Sequence, residues 1–462
     1  YKKGDRRVSS GKPMKYNNWM RWFAPGINIK RWLFLFSLGT IWLMVGVLMM
    51  MNYQWISNFE DIFLEFLFHL TGSYNYTVIA SLGFLGIVAG SIAMLWGIRK
   101  LIQTIVNAIL PDREDGVSDY IFEKIRLGQG PNIVVIGGGT GLSMLLRGLK
   151  SKTTNLTAIV TVADDGGSSG RLREDFQMIA PGDLRNCLVA LAEKEGLMEE
   201  LFQYRFTKGV ELSGHSFGNL FLTAMTQVLH DDVEKALEAS SKILQVRGRV
   251  IPSSTEEIKL IAELTDGTIV EGESNIPHGG KPIAKVYTEP HRPSPVGAAL
   301  QAIDEADAII LGPGSLYTSV MPNLLIDKVA DHIASSKAAK IYICNVMTQP
   351  GETDGYTVSD HVKAIENHSE VGIIDTVLVN DNRIQDATLE HYKQAGQEPV
   401  EVDMDVLQGM GIRTIRANLV DSQDKAVHNS ARLAKVVMDV VYALQTDIEP
   451  HILEYYLQRE DH

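Results

Sequence analysis

The 67 residues from 32 to 98 contain no lysine or arginine, and they hold two uninterrupted apolar runs, 32–51 and 76–98, of twenty and twenty-three residues. At ~1.5 Å of rise per residue, each run reaches across the ~30 Å hydrocarbon layer of a bilayer. Buried core helices of a soluble protein would be shorter and would carry a polar face. A cleaved leader would not be followed closely by a second long run. Two transmembrane helices are therefore expected. Lys30 and Arg31 border the first, Arg99 and Lys100 follow the second, and the connection 52–75 has neither residue type. Basic residues stay on the cytoplasmic side, so both ends of the pair are expected there, giving a multi-pass inner-membrane protein whose large domain is cytoplasmic. The connection places Phe59, Ile62, Phe63, Phe66, Leu67 and Leu70 at helical spacing, as a short interfacial helix would. Gly83, Gly86 and Gly90 offer a close-contact face, including for a possible homodimer.

Charge separates the parts further. Residues 1–31 carry nine basic side chains against Asp5 alone, whereas residues 101–462 sum to −20. A polyanion would meet no basic face on such a body, which argues against nucleic acid as a partner. Only Cys187 and Cys344 are present, too few for a disulfide framework and suited to a reducing compartment. The expected organisation is a basic segment 1–31, a two-helix anchor 32–98, a linker 99–130, a nucleotide-binding domain 131–445 and a tail 446–462.

The domain opens on a β-branched run, 132–136, followed by Gly137, Gly138, Gly139, Thr140 and Gly141 and then by helical periodicity. A strand, a glycine turn and a helix form a phosphate-binding arrangement, because glycine lets the backbone approach and the first helical amides point at the anion. Leu142 stands where a dinucleotide fingerprint would have its last glycine, so a dehydrogenase is a weaker reading. A second strand, 156–162, ends in Asp164 and Asp165 within a loop that contains Ser168 and Ser169. Either acid could accept ribose hydroxyls or hold Mg²⁺ at the carboxyl end of a strand, or could simply cap a turn.

Further loops open helices in the same manner. Asp183 reads as an N-cap, with Arg185 and Asn186 beside it. His215 reads as structural and Asn219 as the better candidate for ligand contact. A strand at 308–311 leads into Gly312, Gly314, Ser315 and Thr318, a second phosphate-loop candidate. Strands at 341–345 and 375–380 follow. Residues 249–289, with the Asp266-Gly267 turn, read as an antiparallel insertion, and 430–444 as an amphipathic helix. The fold class is thus α/β, a doubly wound, mostly parallel Rossmann-like sheet with an antiparallel insertion, preceded by two transmembrane helices.

In order along 131–445, the loops GGGTG, ADDGGSSGRLR, PGDLRN, GHSFGNLFL, GPGSLYTSVMPNLL and NVMTQPGET resemble those of the CofD/YvcK family. That family includes 2-phospho-L-lactate transferase, which uses Mg²⁺ and a guanylylated donor, and the gluconeogenesis factor, which binds UDP-N-acetylglucosamine. The loops are closer to the gluconeogenesis-factor branch. The resemblance implies that Gly137 to Gly141, Asp164, Asp165, Asn219 and Gly312 to Thr318 line the ligand crevice. It also implies a regulatory role in cell shape and envelope synthesis, with envelope-synthesis proteins as partners. The alternative it leaves open is a Mg²⁺-dependent phospholactyl transferase; no other cofactor is implied.

Overall fold

The computed structural model describes residues 29–51, 65–66, 68–69, 72, 76–109 and 117–446, with breaks at 194–195, 383 and 421–427. The expected interfacial helix of 52–75, the basic segment 1–31 and the tail 446–462 fall almost entirely outside these residues. The chain divides into two compact units, 1–123 and 124–462.

The first unit contains helices Ile29–Met51 and Tyr76–Ile109. Both are long and apolar enough to cross a membrane, with windows of mean hydropathy 1.7 and 1.8. The second run does not end at Ile98. It forms one helix of 34 residues, about 50 Å long, that runs on into the expected linker. Arg99 and Lys100 are good helix formers, so they close the apolar stretch without breaking the backbone. The two helices meet on glycine. A Cβ on Gly90 would lie 2.7 Å from the Leu43 nitrogen and 2.8 Å from the Gly39 oxygen, and one on Gly46 would lie 2.7 Å from the Gly83 oxygen. The small-residue face is thus used within the chain, while Phe34, Trp42, Phe84, Leu85, Ile92 and Trp96 point outwards. Gly90→Leu is expected to separate the pair. In the full chain in detergent, cysteines replacing Trp32 and Trp96, whose ring centroids are 5.8 Å apart, would then lose their cross-linking by a short bis-maleimide.

The second unit is built on a seven-stranded sheet in the order β10-β9-β8-β7-β1-β2-β3. Its strands are β1 Ile133–Gly137, β2 Leu156–Val160, β3 Arg249–Pro252, β7 Ala308–Leu311, β8 Ala339–Ile343, β9 Thr376–Asn380 and β10 Arg413–Ala417. Every pairing in it is parallel. Parallel strands are covered on both faces, which is why β1 and β7 are buried throughout and read as continuous apolar runs. From β1 the chain winds outwards through β2 to β3, then returns to β7 on the other side of β1 and winds the opposite way. The reversal places the switch point between β1 and β7, with their carboxyl-end loops side by side.

Helix Gly139–Leu149 buries Leu142, Leu145, Leu146 and Leu149 against the sheet and packs closely on Ser430–Gln445. A Cβ on Gly148 would lie 2.2 Å from the Ser430 oxygen. The antiparallel insertion comprises β4 Lys259–Leu264, β5 Ile269–Glu271 and β6 Ile283–Glu289 in the order β5-β4-β6, with Gly267 at φ +81° in the expected turn. It begins later than expected: Arg249–Pro252 pairs in parallel with β2 and belongs to the main sheet. Proline fits there because β3 is an edge strand.

Candidate functional site

The loop after β1 is shaped by glycine at each step. Gly138 is extended and Gly139, at φ +68°, opens the helix. A Cβ on Gly138 would lie 2.5 Å from Thr161 Cγ2 and 2.6 Å from Asp183 Oδ2. The loop after β7 lies against it: the Gly312 amide donates to the Ile136 carbonyl at 2.9 Å, and a Cβ on Gly141 would sit 2.6 Å from the Pro313 carbonyl oxygen. Asn323 Nδ2 donates to the Gly137 carbonyl at 3.2 Å and to that of Ser319 at 2.8 Å, tying the two loops together. The loop after β8 joins them, since Asn345 Nδ2 donates to the Gly314 carbonyl at 2.9 Å and Gln349 Nε2 to Ser315 Oγ at 2.6 Å. Thr318 is turned towards buried Glu352, donating to Oε1 at 3.3 Å. The structure thus brings Gly137, Gly138, Gly139, Gly141, Gly312, Gly314 and Ser315 together, with Thr140 exposed beside them.

The loop after β2 supplies the acids. Asp164 Oδ1 accepts the Gly166 amide and Asp165 Oδ1 that of Ser274, each at 2.9 Å. Their Oδ2 atoms are approached closely by glycine backbone: a Cβ on Gly182 would lie 2.7 Å from the first and one on Gly272 2.5 Å from the second. Ser168, Ser169 and Asn219 are buried as a brace beneath this loop. Asn219 Nδ2 donates to Ser168 Oγ at 3.1 Å and to Ser169 Oγ at 3.4 Å, and His215 Nδ1 lies 3.0 Å from Ser168 Oγ. Both His215 and Asn219 are buried, and Asn219 Oδ1 accepts no hydrogen bond among the described residues.

Asp183 is not the N-cap of its helix. Pro181 occupies that position, and the Asp183 carboxylate reaches across to accept the Gly139 amide. An orphan amide at the start of the neighbouring helix is the donor it satisfies. Arg185, beside it, donates to Ser216 Oγ at 2.6 Å and to Asn186 Oδ1 at 2.7 Å.

Two further carboxylates join them, Glu273 in the connection from β5 to β6 and Glu352 in the NVMTQPGET loop after β8. Burial, with Asp164, Asp165, Asp183 and Glu352 around it, pushes Glu273 up to about 8. Burial pushes Glu352 to about 7 against its hydrogen bonds from Thr318 and Tyr317, and burial with the nearby Asp164 charge lifts Asp183 to about 6. Five acids therefore share one crevice. Among the described residues, no group of three or more His, Cys, Asp or Glu side chains is arranged to ligate a metal. A cavity of about 300 Å³, lined by Asn345, Val379, Asn380, Asn382 and Asp386, opens at the carboxyl ends of β8 and β9. A larger groove of about 810 Å³ lies elsewhere, between β3 and helix Val233–Leu244. The convergence of glycine loops, rather than the size of the hollow, marks the site.

The family model described as 2-phospho-L-lactate transferase CofD matches residues 133–420, which contain all of these loops. The chain belongs to the CofD family. Within it, the similarity runs to gluconeogenesis factors. A putative gluconeogenesis factor of Nostoc sp. is 46% identical over 430 residues, covering 92% of this chain and 93% of the relative. That extent carries the match upstream of the sheet into the paired helices. The gluconeogenesis factor of Bacillus subtilis is 48% identical over 316 residues, covering 68% of this chain and 99% of its own length. A crystal structure of a Bacillus halodurans protein, 50% identical, superposes with a TM-score of 0.64 over 67% of this chain and 99% of that one. In this CofD-family chain, the sheet-based unit thus corresponds to a whole protein elsewhere, to which an apolar helix pair is joined.

Proposed function

We propose that this chain is a regulatory protein that binds a nucleotide sugar of the UDP-N-acetylglucosamine type and couples its level to envelope synthesis and cell shape from the inner face of the membrane. The observation that carries the reading is the contact of two glycine loops at the β1/β7 switch point, where Gly141 meets Pro313 backbone to backbone. Helix-start amides and glycine backbone suit a diphosphate. The adjoining cavity of about 300 Å³ is the size of a small-ligand pocket and suits the nucleoside end. The names of the relatives, gluconeogenesis factors, support a metabolic regulator. The basic residues flanking both helices support an inner-membrane anchor with the large unit in the cytoplasm.

A second reading, a Mg²⁺-dependent transferase, is favoured by the crowded carboxylates. Asp164 and Asp165 each keep an Oδ2 that accepts no hydrogen bond among the described residues, so the pair suits Mg²⁺, which takes one or two carboxylates and completes its shell with phosphate and water. Bound there, the ion would neutralise charge on phosphoryl oxygens. The glycine loops would hold the donor phosphates in either reading.

The test is calorimetric and thermal-shift titration of the full chain in nanodiscs with UDP-N-acetylglucosamine, GDP and NAD, each with and without Mg²⁺. The uridine sugar is expected to bind without metal and, at ~100 times its dissociation constant, to add ~2.7 kcal/mol of stability. A Mg²⁺-dependent preference for GDP would transfer the assignment to the transferase. Stabilisation by none of the three would remove both.

A further inference from the structure

We propose that Arg171, Arg185 and Arg205 form a subsite for a phosphate-type oxyanion beside the glycine-loop crevice. The three guanidiniums come from different elements and converge on residues 213–216, two on backbone carbonyls and one on a side-chain hydroxyl. Arg171 Nη2 donates to the Ser213 carbonyl at 3.0 Å, Arg205 Nη1 to the Gly214 carbonyl at 3.0 Å, and Arg185 Nη1 to Ser216 Oγ at 2.6 Å. Gly214, at φ +85°, keeps that place open: a Cβ there would lie 2.8 Å from Arg171 Nη2.

None of the three makes an ion pair within 4 Å among the described residues, whereas Arg147, Arg173, Arg247 and Arg416 each pair with a carboxylate. Exposed arginines such as Arg249 and Arg413 also lack an ion pair among the described residues, so what sets this cluster apart is the burial of Arg185. Arg185 is only 7% exposed, and its Nε has no hydrogen-bond partner. Burial, and then the neighbouring Arg205, hold its pKa below the ordinary value, with Asp183 and Asp164 acting in the opposite sense. A buried guanidinium left beside like charge is stabilised by an anion, and its planar fork suits the paired oxygens of phosphate. The cluster adjoins the crevice through Arg185, which shares the first turn and a half of its helix with Asp183.

The subsite rests on the crevice reading only for the identity of the molecule that supplies the anion, so its test uses inorganic pyrophosphate. Calorimetry on the full chain in nanodiscs would compare the parent with Arg171→Gln, Arg205→Gln and Lys208→Gln, all exposed positions, with thermal unfolding as the check on folding. The first two variants are expected to bind pyrophosphate about tenfold more weakly, as loss of a charge-assisted hydrogen bond implies, and Lys208→Gln to bind as the parent does. Parent-like binding by both arginine variants, equal weakening by all three, or no binding by the parent would each overturn the proposal. UDP-N-acetylglucosamine titrated in parallel separates the two claims. Arginine-dependent pyrophosphate binding without uridine-sugar binding removes the nucleotide-sugar reading and leaves the subsite. The converse removes the subsite alone.

Discussion

Alanine at position 141 is expected to abolish ligand binding in the crevice and to destabilise the sheet-based unit by about 1–3 kcal/mol, the range for forcing extra volume into a packed place. The added Cβ would lie 2.6 Å from the Pro313 oxygen, 2.9 Å from the Pro313 carbonyl carbon and 3.3 Å from Gly314 Cα. All three are backbone atoms, so no flexible side chain can yield, and the loops after β1 and β7 must part. Gly297→Ala is the matching control, since a Cβ there meets nothing within 4 Å. Urea denaturation would read the stability and titration of UDP-N-acetylglucosamine the binding. A Gly141→Ala variant with parent-like values in both would show that the loops do not depend on each other.

Glu273→Gln is expected to stabilise the protein at pH 8 and to leave it little changed at pH 4. The unfolded carboxyl titrates near its ordinary value of 4.5, and the folded one at about 8. Below the lower value both states are protonated. Between the two, only the unfolded chain has lost the proton, so folded stability declines as pH rises, until the folded group ionises near 8. The amide cannot ionise and escapes the decline, which at ~1.4 kcal/mol per pH unit amounts to at most ~5 kcal/mol once the folded group ionises. Thermal unfolding of parent and variant at several pH values would check the sign. Curves that run parallel across the whole range would show Glu273 to be an ordinary solvated acid.

The central strands were legible because both their faces are covered, leaving unbroken apolar runs such as those of β1 and β7. The two edge strands were not. Arg413–Ala417 holds two arginines and a threonine among its five residues, and Arg249–Pro252 ends in proline, because an edge needs neither complete burial nor every amide. The glycine loops announced themselves through composition. Their mutual contact did not, because the order in which strands line up across a sheet is set by long-range packing. Asp183 shows the same limit: its spacing fitted a local cap, and a donor from another helix claimed it instead. Glu273 gave no signal at all, since it is a single acid in the connection from β5 to β6 until that connection meets Asp165 through the Ser274 amide.

The reversal of strand order at β1 means that the walls of the crevice are synthesised far apart. Asn132, at the foot of β1, hydrogen-bonds Asp307, at the foot of β7, across 175 residues of sequence. A nascent chain therefore displays its first glycine loop for a long interval with no opposing wall, and the insertion carrying Glu273 is also made before that wall exists. The proposed site is complete only once β8 and β9 have followed β7 into the sheet, because Asn345 and Asn380 belong to its walls, so a ligand of the crevice present during synthesis would favour finished molecules over partly folded ones.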